Sequence, residues 1–217
     1  MPRRALADHR PFLLLSIAAA AAYYFLAGDP VAGLPLAIVK GSAVGALAAY
    51  ALRRAGHRGG RALSAYLALC AVADAVGEFS YLYAGTTIGL ACLVMIVFLL
   101  RNRRPGLQGS QMAAAAAVVV LVPTIVALLT TPVPNWQWAT AYALLLAGMA
   151  GAAWISRFPR YRVGIGALLF AVSNVLLVAQ AAGRLPPGSS EWFSWPVGYI
   201  GQLLLAIGIV QTLRRSV

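Results

Sequence analysis

The sequence predicts an all-α, polytopic membrane bundle of about eight transmembrane helices with both termini cytoplasmic, and three observations carry that expectation. The first concerns solvent. Of 217 residues, 61% are hydrophobic and 10% charged, against roughly 25% charged in an ordinary soluble domain, so a bilayer must cover most of the surface. The second is segmentation: apolar runs fall at 12–27, 31–52, 62–79, 84–100, 111–131, 136–155, 163–183 and 193–213, most of them near the ~20 residues a helix needs to cross hydrocarbon. Ala/Leu/Val-rich runs of this length satisfy their own backbone groups as helices rather than as barrel strands. The third is charge placement. Fifteen of the sixteen arginines fall in alternate connections or at the termini, the side on which cytoplasmic loops collect Lys and Arg.

Each run can be justified in turn. The first is short, follows Arg3, Arg4 and Arg10, and is not succeeded by a small-residue cleavage site and a polar mature domain, so it reads as a retained span rather than a secretory signal. The second and third are separated by Arg53, Arg54, Arg58 and Arg61. The third and fourth are separated only by a tight polar-aromatic turn around Ser80–Gly85, which leaves a seven-helix count open. Arg101, Arg103 and Arg104 follow the fourth, Arg157, Arg160 and Arg162 follow the sixth, and Arg214 and Arg215 end the chain; Arg184 alone lies opposite. The opposite connections, Gly28–Pro30, Pro132–Trp138 and Gly183–Trp195, place Trp136, Trp138, Trp192 and Trp195 for an interfacial aromatic belt. No linker or low-complexity segment remains, so residues 1–217 read as a single transmembrane helical domain.

Composition also excludes function classes. A net charge of +12 would suggest nucleic acid in a soluble protein, but here the arginines serve topology and no nucleic-acid partner is expected. Cys70 and Cys92 sit inside apolar runs without a second ligand at metal spacing, and read as buried thiols. His9 lies in the basic N-terminal tail and His57 in an arginine-rich loop, so neither metal nor cofactor is expected. Nucleophile elbows and phosphate loops are absent from the sequence.

Chemistry therefore has to come from polar residues at bilayer depth. Lys40 in the second run, and Asp74 and Glu78 in the third, are the ionisable side chains well inside apolar runs. Such residues cost upwards of ~2.5 kcal/mol each and normally face the bundle interior, paired or functional. Asp74 and Glu78, four apart, share a helical face, an arrangement suited to acid/base work. At about 1.5 Å rise per residue, Asp74 and Lys40 lie about 18 Å, and Asn174 and Gln202 about 17 Å, from the cytoplasmic ends of their helices. Four polar side chains at a common depth suggest the lining of one pocket, with Ser173 and Tyr199 as further members. Structural readings stand beside this one: an interhelical ion pair of Lys40 with Asp74, or a snorkelling Lys40; a solvated interfacial Glu78; interhelical hydrogen-bond glue for Ser173, Asn174 and Gln202.

The segment from Gly166 through Ala-Leu-Leu-Phe-Ala-Val-Ser to Asn174, with Tyr199 and Gln202 in the run that follows, resembles the last two helices of the YhhN-type lysoplasmalogenase family. Leu67 to Asp74 resembles that family's third helix, and Lys40 falls where the family has a lysine in its second. The resemblance implies an eight-helix hydrolase that cleaves the vinyl ether bond of lysoplasmalogens in an intramembrane pocket and releases a fatty aldehyde. The lipid or lysophospholipid would be its partner and a bacterial cytoplasmic membrane its location. With it the candidate catalytic residues are Asp74 as the leading acid/base, Asn174 at the family's aspartate position and Glu78 as a substitute second carboxyl, and Lys40, Ser173, Tyr199 and Gln202 are candidate substrate-binding residues. The chain departs from the family pattern in having Asn174 for an aspartate, Gly41 for a proline and no histidine in the fourth helix. An amide cannot exchange a proton at neutral pH, so the alternative implied is an altered or inactive member that binds or moves an amphiphile.

Overall fold

The computed structural model describes residues 10–27, 33–55, 58–131, 133–134 and 136–215. Among them are eight α-helices: α1 Arg10–Leu26, α2 Leu34–Ala55, α3 Arg58–Gly77, α4 Tyr81–Arg101, α5 Gly109–Thr130, α6 Trp136–Ile155, α7 Ile165–Ala181 and α8 Trp195–Arg215. Single π-helical turns, Arg160–Gly164 and Ser190–Ser194, lead into α7 and α8. With these leading turns counted, α2 to α8 are long and apolar enough to cross a membrane; α1, at 17 residues, is shorter. The eight expected helices are all present, and the chain is a multi-pass integral membrane protein. His9, His57, Arg3, Arg4 and the Gly28–Pro30 loop fall outside the described residues.

The packing differs from that of a soluble bundle in leaving many large apolar side chains on the outer surface. Many interior positions are small: Ala43, Ala51, Ala143, Ala147, Ala150, Ala153, Ala167, Ala171 and Ala206 are fully buried beside larger residues such as Leu47, Tyr66 and Phe158, while Leu14, Phe25, Leu82, Val120 and Leu128 are exposed. Lipid tails are as apolar as leucine, so large side chains can face outward at no cost, whereas small ones inside let backbones approach.

Two compact units divide the chain. The first comprises residues 1–94 and 209–217, the second residues 95–208. In the first, α1 packs on α2 and α2 on α3. The register is antiparallel throughout. Ser16 Oγ donates to the Ala43 carbonyl at 2.6 Å, and Ser64 Oγ to the Ala48 carbonyl at 2.9 Å. The α3–α4 turn is shorter than expected, Glu78–Ser80, closed by the Phe79 and Ser80 amides on the Val76 carbonyl at 2.9 Å.

In the second unit α5, α6 and α7 pack mutually, with α8 against α7. The α7–α8 crossing is a backbone contact. A Cβ on Gly166 would stand 2.6 Å from the Gly201 carbonyl oxygen, and one on Gly201 would stand 2.6 Å from the Gly166 carbonyl oxygen. Helix α7 ends at Gly183, which takes φ 70° while its amide and those of Ala182 and Arg184 close onto Gln180, Val178 and Ala179 carbonyls. Arg184, the outlier of the charge pattern, donates from Nε to the Leu129 carbonyl at 3.1 Å and from Nη2 to the Thr131 carbonyl at 3.0 Å. It caps the C-terminal end of α5, a structural use for which a cation suits the helix dipole.

Candidate functional site

The polar residues singled out from sequence assemble into two centres, one in each unit. In the first unit the local cause is Gly41. A Cβ there would lie 3.0 Å from the Ala71 carbonyl oxygen and 3.1 Å from the Ala75 Cβ, so α2 and α3 meet with little between their backbones. This register lets Lys40 reach along α3 to Glu78. Lys40 Nζ donates to Glu78 Oε1 at 2.6 Å, with 15% and 18% of the two side chains exposed. A charge-assisted contact of that length, largely removed from solvent, fixes both partners.

Helix α1 completes the centre with Tyr23, 1% exposed. Its hydroxyl donates a long hydrogen bond, 3.4 Å, to the same Glu78 oxygen, and Lys40 Nζ stands 5.0 Å from the centre of its ring, within cation–π range. Asp74 lies one turn earlier on α3 than Glu78 and interacts electrostatically with both Lys40 and Glu78. Among the described residues its carboxyl has no hydrogen-bond or ion-pair partner. The ion pair of Lys40 is thus with Glu78 rather than Asp74, and Glu78 is held by two side chains. Cys70 and Cys92 are buried and not disulfide-bonded.

The second centre is neutral. Tyr142 on α6 donates from its hydroxyl to Asn174 Oδ1 at 2.5 Å, and Asn174 Nδ2 donates to the Phe170 carbonyl at 2.8 Å, so both ends of the amide are committed. Ser173 is buried where α8 comes close: a Cβ on Gly198 would fall 2.5 Å from Ser173 Oγ. Tyr199 stacks on Trp195 with ring centres 5.5 Å apart and an interplanar angle of 14°. Gln202, three residues on and 3% exposed, has an Oε1 with no hydrogen-bond partner among the described residues. Native structures rarely leave such an atom unsatisfied.

Sequence reasoning missed Tyr23 and Tyr142. A signal existed for the first: Ser16 and Tyr23, seven apart, share a face of α1, and both are buried. Nothing in the sequence distinguished Tyr142 from the other tyrosines of the chain.

The profile of the YhhN family matches residues 36–209, from α2 into α8. This chain belongs to the YhhN family. No curated protein and no solved structure matches it. Within this YhhN protein the matched span includes Lys40, Asp74, Glu78, Asn174 and Gln202, whereas Tyr23, which completes the charged centre, precedes it.

Proposed function

We propose that this YhhN protein is a lysoplasmalogenase-like hydrolase that cleaves the vinyl ether bond of lysoplasmalogens within the membrane. The observation that carries the reading is the charged centre of the first unit. One carboxylate, Glu78, is held by an ammonium and a tyrosine, and a second carboxyl, Asp74, stands a turn away without a hydrogen-bond partner among the described residues. Vinyl ether hydrolysis needs such a division of labour. Asp74 gives its proton to the alkenyl carbon remote from oxygen, and the ether carbon becomes an oxocarbenium ion. Glu78 stabilises that positive charge, with Lys40 and Tyr23 holding it in place. Water adds to the cation and returns a proton to Asp74; the hemiacetal then collapses to a fatty aldehyde and the free glycerol hydroxyl. The proton count closes without a metal, and both groups stay within ordinary general acid–base chemistry.

A second reading has its own observation. Asn174 carries an amide where the resemblance expects an aspartate, and both ends of that amide are engaged by Tyr142 and Phe170. A centre so arranged holds shape rather than moves protons, which suits a member that binds an amphiphile without cleaving it. Purified protein incubated with alkenyl and matched acyl lysophospholipids separates the two. Aldehyde release from the alkenyl lipid alone supports the hydrolase; release from neither, with lipid retained in stoichiometric amount, supports the binder. The same proposal places the protein in a bacterial cytoplasmic membrane with both termini cytoplasmic. Reporter fusions at the two ends check that orientation: activity of a periplasm-dependent reporter at either end contradicts it.

A further inference from the structure

One end of the second unit gathers Arg101, Arg103, Arg104, Arg157, Arg160 and Arg162 on the connections that follow α4 and α6. These two connections form one scaffold. The Arg104 amide donates to the Ile155 carbonyl at 3.1 Å and the Arg157 amide to the Asn102 carbonyl at 2.8 Å, around an antiparallel bridge of Arg103 with Ser156. Beneath it, Phe158 is fully buried and stacks on Phe98 with ring centres 5.5 Å apart, while the Arg157 guanidinium stands 5.8 Å from the Phe158 ring. Asn102 Nδ2 is tied back to the Phe98 carbonyl at 2.9 Å. The arginines therefore project from a fixed platform, and Arg101, Arg103, Arg157 and Arg162 are exposed.

Topology asks only that cationic residues lie near membrane ends. This platform goes further, at an electrostatic cost. Arg160 and Arg162 occupy the π-helical turn that begins the α7 span, where the helix dipole already presents positive charge. The start of α5 lies beside it: with its amide turned to satisfy both ends, Gln111 accepts from Arg160 Nη2 at 2.8 Å. Neither helix start has a side-chain cap, the N-cap residues being Gln108 and Pro159. Between Met95 and Gly208 the sequence has one acidic residue, Glu191, and it lies beyond the opposite end of α7. Arg101, Arg103, Arg104 and Arg157 follow the C-terminal ends of α4 and α6, which favour cations, but Arg160 and Arg162 add positive charge at a positive helix start, and the unit has no carboxylate at this end.

We propose that this platform is a binding site for the phosphate headgroup of an anionic phospholipid. The platform terminates membrane-spanning helices, which sets it at headgroup level. Guanidinium forks match phosphate oxygens in bidentate geometry, and basic pockets at the ends of spans recognise anionic headgroups. Leu100 on α4, Met112 on α5 and Ile165 on α7 are exposed on the adjoining helix surfaces and offer an apolar path for the acyl chains. The inference is independent of the proposed hydrolysis.

The test uses full-length, delipidated protein in neutral detergent, titrated with short-chain phosphatidylglycerol or with phosphatidylcholine of the same chains, and native mass spectrometry to count bound lipid. Phosphatidylglycerol is expected to bind saturably and in preference to phosphatidylcholine. The variant R103Q/R157Q should weaken that binding by about tenfold or more, since each arginine near a headgroup is worth about a factor of five. The variant R214Q/R215Q removes the same charge from the end of α8 and should leave affinity within about twofold. Equal loss in both variants would reduce the platform to bulk charge and overturn the proposal. So would equal binding of the two lipids, or saturable binding of inorganic phosphate without phosphatidylglycerol. Thermal unfolding of both variants in detergent serves as the folding control, and should R103Q/R157Q not fold, the single variant Arg103→Gln is read in the same way.

Discussion

The two polar centres of this protein solve the same problem in opposite ways. Each places hydrogen-bonding side chains from at least two helices in surroundings built for hydrocarbon, where an unpaired polar group is expensive. The centre of the first unit uses charge, with Lys40 bound to Glu78 and Asp74 beside them. That of the second uses neutral dipoles, a tyrosine hydroxyl on an asparagine amide whose other end meets its own helix backbone. The first holds carboxyl groups, and the second pairs a phenol with an amide. What the difference teaches is where chemistry is to be sought: among the described residues the Asp74 carboxyl of the first unit has no hydrogen-bond partner, whereas both ends of the Asn174 amide in the second are committed.

The comparison breaks most violently at the backbone contact that positions the neutral centre. Gly201→Val and Gly166→Val each put a side chain where 2.6 Å separates a Cβ from a facing carbonyl oxygen, so α7 and α8 must part. The expected cost exceeds about 3 kcal/mol, beyond ordinary overpacking. Size-exclusion of detergent-solubilised protein should show little monodisperse material.

The next largest effect separates charge from shape in the first centre. Glu78→Gln or Lys40→Met alone strands a largely buried charge and should destabilise by about 3 kcal/mol, whereas the double variant should recover much of that loss. Thermal unfolding of the four members of the cycle measures the coupling, and additive losses would contradict the pair.

Much of this fold was legible because the bilayer imposes simple rules. Composition named the solvent, run length set the helices, and arginine placement fixed the alternation that the second unit displays, with Arg101 to Arg104 and Arg157 to Arg162 at one end and Arg184 at the other. What the sequence could not show was register. From sequence the ion pair offered for Lys40 was with Asp74, and Glu78 read equally as a solvated interfacial carboxylate; with α2 and α3 in close approach at Gly41, the lysine pairs with Glu78. Tyr23 and Tyr142 were invisible for a related reason: a tyrosine in an apolar run looks the same whether it faces lipid or a buried amide, and only tertiary packing decides.

Smaller effects sharpen the contrast. Tyr142→Phe removes one hydrogen bond from Asn174 and should cost about 1 kcal/mol, read as a modest fall in unfolding temperature. Gln202→Leu should be neutral or slightly stabilising, because it removes a buried oxygen that has no partner among the described residues. A clear destabilisation by Gln202→Leu would mean that the oxygen is satisfied, and would erase the distinction drawn for the second centre.

In the proposed hydrolysis Asp74 is the group that gives and regains the proton. Aldehyde release from an alkenyl lysophospholipid should be compared between the native protein and Asp74→Asn, a change of almost equal shape, with thermal unfolding recorded on the same samples. A fall in rate of about 100-fold or more, the scale expected for a lost general acid, with the fold intact, is the predicted result. Full activity in Asp74→Asn would contradict it.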